Sequence, residues 1–269
     1  MAECGLINLG SCLPEKFFDF LLNLINSPIK RFVDLVFKLL SEPITLSLFS
    51  RFWAIIVYTL SMFYALFLLI SGFIFILSGY DSAKRENAKQ TLRNIVIMII
   101  LVQSSYFIYQ LAIELSSVMT SATLSIIDIG FFSIGNGGDN IAVSLIFGTT
   151  YLTTLVLSLI ILSLRYAFVS IGIIFFPISI FLYFIPQLKR YGVLILNFLG
   201  TSIFASFFYS LILIGFSQLS NANVFSDFKI LLLISAFLLG DIIVIGLLLF
   251  SIINTGTEIY SKVKGVVGI

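Results

Sequence analysis

The chain has 269 residues, of which 59% are apolar and 10% charged, with a net charge of +2 and no histidine. Its mean hydropathy of +1.15 lies far outside the range of soluble domains, in which about a quarter of residues are charged. So small a net charge argues against bulk electrostatic nucleic-acid binding, and the missing histidines exclude His–metal sites, Ser-His-Asp triads and imidazole proton switches.

Several apolar runs exceed the roughly 20 residues a helix needs to cross the hydrocarbon core, and none alternates as a membrane β-barrel strand does. The expected fold is all-α: a polytopic helical membrane protein with about five transmembrane helices. Met1 to Phe18 lacks the basic start and compact apolar stretch of a signal peptide, so the first crossing is expected to serve as its own insertion signal. Three regions follow: an N-terminal segment (1–50), a transmembrane domain (51–254) and a short tail (255–269).

Within the N-terminal segment, "EKFFDFLLNLIN" and "SPIKRFVDLVFKLLSEP" carry apolar residues at helical spacing between charges. They predict two short amphipathic helices, lying in the membrane interface or packed on the bundle. Cys4 and Cys12 also lie here, close enough to form a disulfide if this end faces an oxidising compartment and two free thiols otherwise.

The first span is predicted from Arg51 to about Gly79, with Trp53 and Tyr80 as interfacial aromatics. A charged hairpin, "SGYDSAKRENAKQTLRN", leads into a second span from about Thr91 to Ser117. Arg85, Lys89 and Arg93 follow at i, i+4 and i+8, so with Lys84 they make a basic face, and Asp81 is placed to cap the helix. This face suits a topology signal and lipid headgroups, or else phosphates of a nucleic acid or an acidic protein. Residues 121–140, with Gly130 and "GNGGDN", read as a loop, because the glycines match no phosphate-binding pattern.

Ile141 to Ile185 is too long for one perpendicular span. A hairpin turning at Arg165 would export Lys189 and Arg190, so one long, tilted or broken helix with a kink at Pro177 is preferred. Further spans are predicted at about Tyr191 to Leu219 and Ile230 to Ile253. The basic residues then place the chain in the cell membrane, inner or plasma, with the N-terminus outside and the C-terminus cytoplasmic.

Ionisable groups inside spans are functional candidates. Glu114 lies near the outer end of the second span, while Arg165 and Asp241 sit deep in apolar runs. An ion pair would satisfy both; pore lining, gating or no contact are the other arrangements. Ser202, Ser206 and Ser210 form a small-xxx-small ridge for close packing within or between subunits. No nucleophile–base pair is visible, so no enzyme activity and no cofactor, metal ion or catalytic residue is expected.

Two stretches resemble a known family. "LVLSLIILSLRYAFVSIGIIFFPISIFLYFIPQLKRYG" is similar to the core signature of the polytopic inner-membrane channel component of type IV secretion and conjugation machines, and of its relative in Ced-type archaeal DNA import. "ISGYDSAKRENAKQTLRNIVIMIILV" resembles the basic hairpin of the same group and of its small pilin-like relatives. The resemblance covers roughly residues 50 to 255 and carries over Arg165, Pro177 and Pro186. It implies a non-enzymatic, oligomeric channel or scaffold subunit for DNA transfer, surrounded by membrane lipids and working with a separate ATPase and pilin subunits, with single-stranded DNA as cargo. One departure is the short, non-basic outer loop at 121–140, where bacterial members have a large loop; it moves attention for DNA contact to the cytoplasmic basic face. The competing classes are a small-solute transporter or ion channel, which would more often show internal repeats, and an assembly scaffold without a pore.

Overall fold

The computed structural model describes residues 20, 27–77, 82–132, 141–222, 225 and 228–267. The regular elements among them are all helices: α1 (27–41), α2 (Ser50–Leu77), α3 (Ser82–Gln103), α4 (Ser105–Leu124), α5 (Ile141–Phe184), α6 (Lys189–Ser220) and α7 (Lys229–Val267), with short 3₁₀ turns at Leu46–Phe49 and Ile129–Phe132. Leu46–Leu77, Ile146–Phe184, Lys189–Ser220 and Lys229–Ile253 are each long and apolar enough to cross a membrane, and α3 with α4 makes a fifth if the pair is one broken span. The polytopic all-α fold is as the sequence predicts. Cys4, Cys12, Asp81, the first amphipathic stretch apart from Phe20, and the Gly-rich turn lie outside the described residues.

The second span differs from its expectation, because α3 and α4 meet at an angle of 60°. The break falls at Ser104, whose hydroxyl donates to the Ile100 carbonyl at 2.7 Å, and Ser105 follows immediately. Serine back-bonding of this kind bends helices, and serine pairs are a common place for kinks. On the far side of the bend, Ser105 Oγ accepts from the Trp53 indole N–H at 2.9 Å, which ties α4 to α2.

Residues 141–184 form one continuous helix, so no hairpin turns at Arg165. Pro177 lies inside α5 and does not end it, although it denies the carbonyl of residue 173 its usual N–H partner. Pro186 falls in the tight turn between α5 and α6, where Ile185 and Leu188 donate to carbonyls three residues back. The last apolar span ends at Ile253, and α7 continues beyond it as helix to Val267.

Contacts divide the chain into two units. Among the described residues of the first (1–42, 117–164 and 206–245), Ile29, Val33, Val36 and Leu40 form the buried stripe of α1. Phe37 meets Phe132 edge-on at 5.1 Å, and Phe32 shares a groove with Val156, Leu159 and Ile160 of α5. Of the two placements open to this amphipathic helix, the described contacts are with the bundle.

Among the described residues of the second unit (43–116, 165–205 and 246–269) are two apolar clusters. One gathers Leu46, Tyr109, Ile113, Val169, Ile173, Leu199 and Ile203. The other gathers Val57, Leu60, Tyr64, Met98, Val102, Ile180 and Phe181. Much of α2 is left apolar and exposed, including Phe52, Ile55, Leu66, Phe73, Ile76 and Leu77, which suits contact with lipid chains.

Candidate intramembrane polar sites and the basic face of α3

Along α5, Tyr151, Ser158, Arg165, Gly172 and Ser179 recur every seven residues and are all buried, and Leu155, Leu162 and Val169 follow each of the first three by four positions. A seven-residue repeat keeps one seam turned toward neighbouring helices. Both deep charges sit on this framework or against it.

In the second unit, Arg165 is 5% exposed. Its Nε donates to the Ser202 carbonyl at 2.8 Å and its Nη2 to the Ile203 carbonyl at 3.0 Å, so one edge of the guanidinium grips two successive carbonyls of α6. Ser116 Oγ of α4 donates to the same Ile203 carbonyl at 2.8 Å. One turn on from Arg165, the Tyr109 hydroxyl donates to the Val169 carbonyl at 2.6 Å. Gly172 is what lets Tyr109 approach, since a Cβ there would lie 2.3 Å from the tyrosine oxygen.

In the first unit, Asp241 is 2% exposed. Ser158 donates to its Oδ2 at 2.7 Å and Tyr209 to its Oδ1 at 3.2 Å, so α5, α6 and α7 meet on one carboxylate. Gly240 makes room for the Tyr209 ring, because a Cβ would stand 2.7 Å from it. The neighbouring Tyr151 hydroxyl is fully buried and has no hydrogen-bond partner among the described residues. Within the second unit carbonyls hold the guanidinium, and within the first hydroxyls hold the carboxylate.

Glu114 is exposed on α4 and accepts from Gln110 Nε2 at 2.8 Å. Both line a groove of about 330 Å³ with Pro43, Ile44 and Tyr106. Ser202, Ser206 and Ser210 are buried within the chain. Ser202 and Ser210 donate to the carbonyls of Phe198 and Phe207, and Ser206 Oγ lies 3.5 Å from Thr120 Oγ1. This places the ridge in packing within the subunit. Ser206→Leu is accordingly expected to cost about 1–3 kcal/mol of folding stability through overpacking. Unfolding in detergent checks it: an unchanged stability with a weakened oligomer would return the ridge to an interface between subunits.

The basic face is exposed along its length. Arg85 and Lys89 line a groove of about 780 Å³ with Gly72, Phe75, Ser82, Glu86 and Leu92. The Arg85 guanidinium stands 5.7 Å from the centroid of the Phe75 ring. Arg93, although one turn along the same stripe, does not line this groove.

The positions missed from sequence are Tyr109, Tyr209 and the glycines 172, 192 and 240, each of which meets residues of another helix. The seven-residue repeat of α5 was the available signal for Gly172. No protein-family model matches the chain, and neither a curated protein nor a solved structure is detectably similar to it.

Proposed function

We propose that the chain is a membrane-embedded, non-enzymatic channel or scaffold subunit of a DNA-transfer machine of the type IV secretion kind, oligomeric and powered by a separate ATPase. On this reading it lies in the cell membrane with its N-terminus outside and the basic α3 face in the cytoplasm, where the ATPase, pilin subunits and single-stranded DNA would be met.

One observation supports this reading most. Within the stretch that resembles the secretion component, Arg165 joins α5 to α6 through two α6 carbonyls, Pro186 sits in the turn between the two helices, and Gly192, outside the carried-over positions, allows their close approach. The shared pattern thus has a structural reason to recur in a channel or scaffold of this type. A second reading, a cation-coupled carrier, draws on the carboxylate of Asp241 with its two hydroxyl donors.

Deleting the gene in its host and scoring marker exchange between cells tests the proposal. Exchange is expected to fall to background and to return on complementation. Unchanged exchange, together with loss of uptake of a small solute, would overturn it in favour of the carrier.

A further inference from the structure

The groove between the end of α2 and the start of α3 has two chemistries in one lining. On the α3 wall, Ser82, Arg85, Glu86 and Lys89 supply polar groups with one net positive charge; Gly72 and Phe75 of α2 and Leu92 of α3 supply an apolar surface. Its 780 Å³ falls within the roughly 300–1,000 Å³ of ligand-sized clefts. Arg85 is not a loose surface charge, because the Phe75 face 5.7 Å away orients it. The site also opens beside the N-terminus of a 22-residue helix, whose dipole favours an anion.

We propose that this groove binds one anionic glycerophospholipid, with its phosphodiester on Arg85 and Lys89 and its acyl chains running over Phe75 and Leu92 onto α2. The apolar floor decides between occupants. A nucleic-acid backbone would engage the two cations but leave Phe75 and Leu92 against a charged, hydrated chain. A lipid covers both, and its chains continue onto Ile76 and Leu77, which are 75% and 80% exposed at the adjoining end of α2. Glycine at position 72 leaves the floor open, with nothing within 4 Å of where its Cβ would stand. The site does not depend on membership of a DNA-transfer machine.

Native mass spectrometry of the full chain in mild detergent, with equal phosphatidylglycerol and phosphatidylcholine added, tests this. One retained phosphatidylglycerol per chain is expected, preferred over phosphatidylcholine by roughly thirtyfold, as two cationic contacts near an anionic headgroup imply. Arg85→Gln with Lys89→Gln should abolish the preference, whereas Arg93→Gln, which removes a charge outside the groove, should keep it. Phe75→Leu retains the apolar floor and serves if the double variant does not fold; it should lower the preference severalfold without changing phosphatidylcholine retention. Equal retention of the two lipids, an effect of Arg93→Gln matching that of the double variant, or displacement of the lipid by equimolar glycerophosphoglycerol or a 20-nucleotide single-stranded DNA would overturn the proposal.

Discussion

Gly192→Ala is expected to be more damaging than the same change at Gly172 or Gly200. Gly192 lies in the first turn of α6, where a Cβ would stand 2.5 Å from the Tyr183 amide nitrogen, 2.6 Å from the Ser179 carbonyl oxygen and 2.9 Å from the Tyr183 Cα. All three are backbone atoms of α5, so no side chain can swing aside and the two helices must separate. Overpacking in a tight core costs about 1–3 kcal/mol, and the upper end or beyond applies when backbone must move. Gly172→Ala meets only side-chain atoms, Tyr109 Oη at 2.3 Å and Leu199 Cδ2 at 2.5 Å, and should cost less. The sign reverses at Gly200, in the middle of the same helix α6, where a Cβ would meet nothing within 4 Å. There alanine relieves the glycine penalty and should stabilise by about 0.5–1 kcal/mol. Reversible unfolding in detergent would rank the three; equal effects of Gly192→Ala and Gly200→Ala would show that the α5–α6 approach is not close.

What the sequence makes legible here is set by hydropathy, and what it hides is set by contacts between distant helices. The spans are long apolar runs, so α2, α5, α6 and α7 begin within a few residues of their predicted starts. The bend at Ser104 was harder to see, because a serine back-bond gives no hydropathy signal. The α7 extension was hidden for a related reason: "NTGTEIYSKVKGVV" loses apolar character at Asn254, yet charge and polarity do not forbid helix. The deep charges are visible in the sequence as ionisable groups within apolar runs, and both are buried. Charge does not name the partners that a helical bundle supplies within each unit: backbone carbonyls for a guanidinium and hydroxyls for a carboxylate. Charge complementarity alone names the simplest partner, while packing decides the actual one.

That difference makes Arg165 the position where substitutions should rank against chemical similarity. Its Nε and Nη2 engage the carbonyls of Ser202 and Ile203 together, which a planar fork can do and a single ammonium cannot. Arg165→Lys therefore keeps a buried charge but surrenders at least one charge-assisted bond, a loss of about 1.5–3 kcal/mol. Arg165→Met fills similar volume and removes the charge that had to be desolvated. The two carbonyls lie within α6 and keep their helical N–H donors, and Ser116 still reaches Ile203. Replacing buried ionic groups with well-packed apolar ones is often neutral or stabilising, so Arg165→Met is expected within about 1 kcal/mol of the parent and above Arg165→Lys. Unfolding in detergent measures this order, and the reverse order would overturn the clamp. If the chain has the DNA-transfer role proposed above, the same pair separates clamp from passage when transfer is scored. If the arginine only joins helices, transfer should follow stability, with methionine better than lysine. If its charge faces the cargo, lysine should transfer better than methionine although it folds less stably, and a structural role alone cannot produce that inversion.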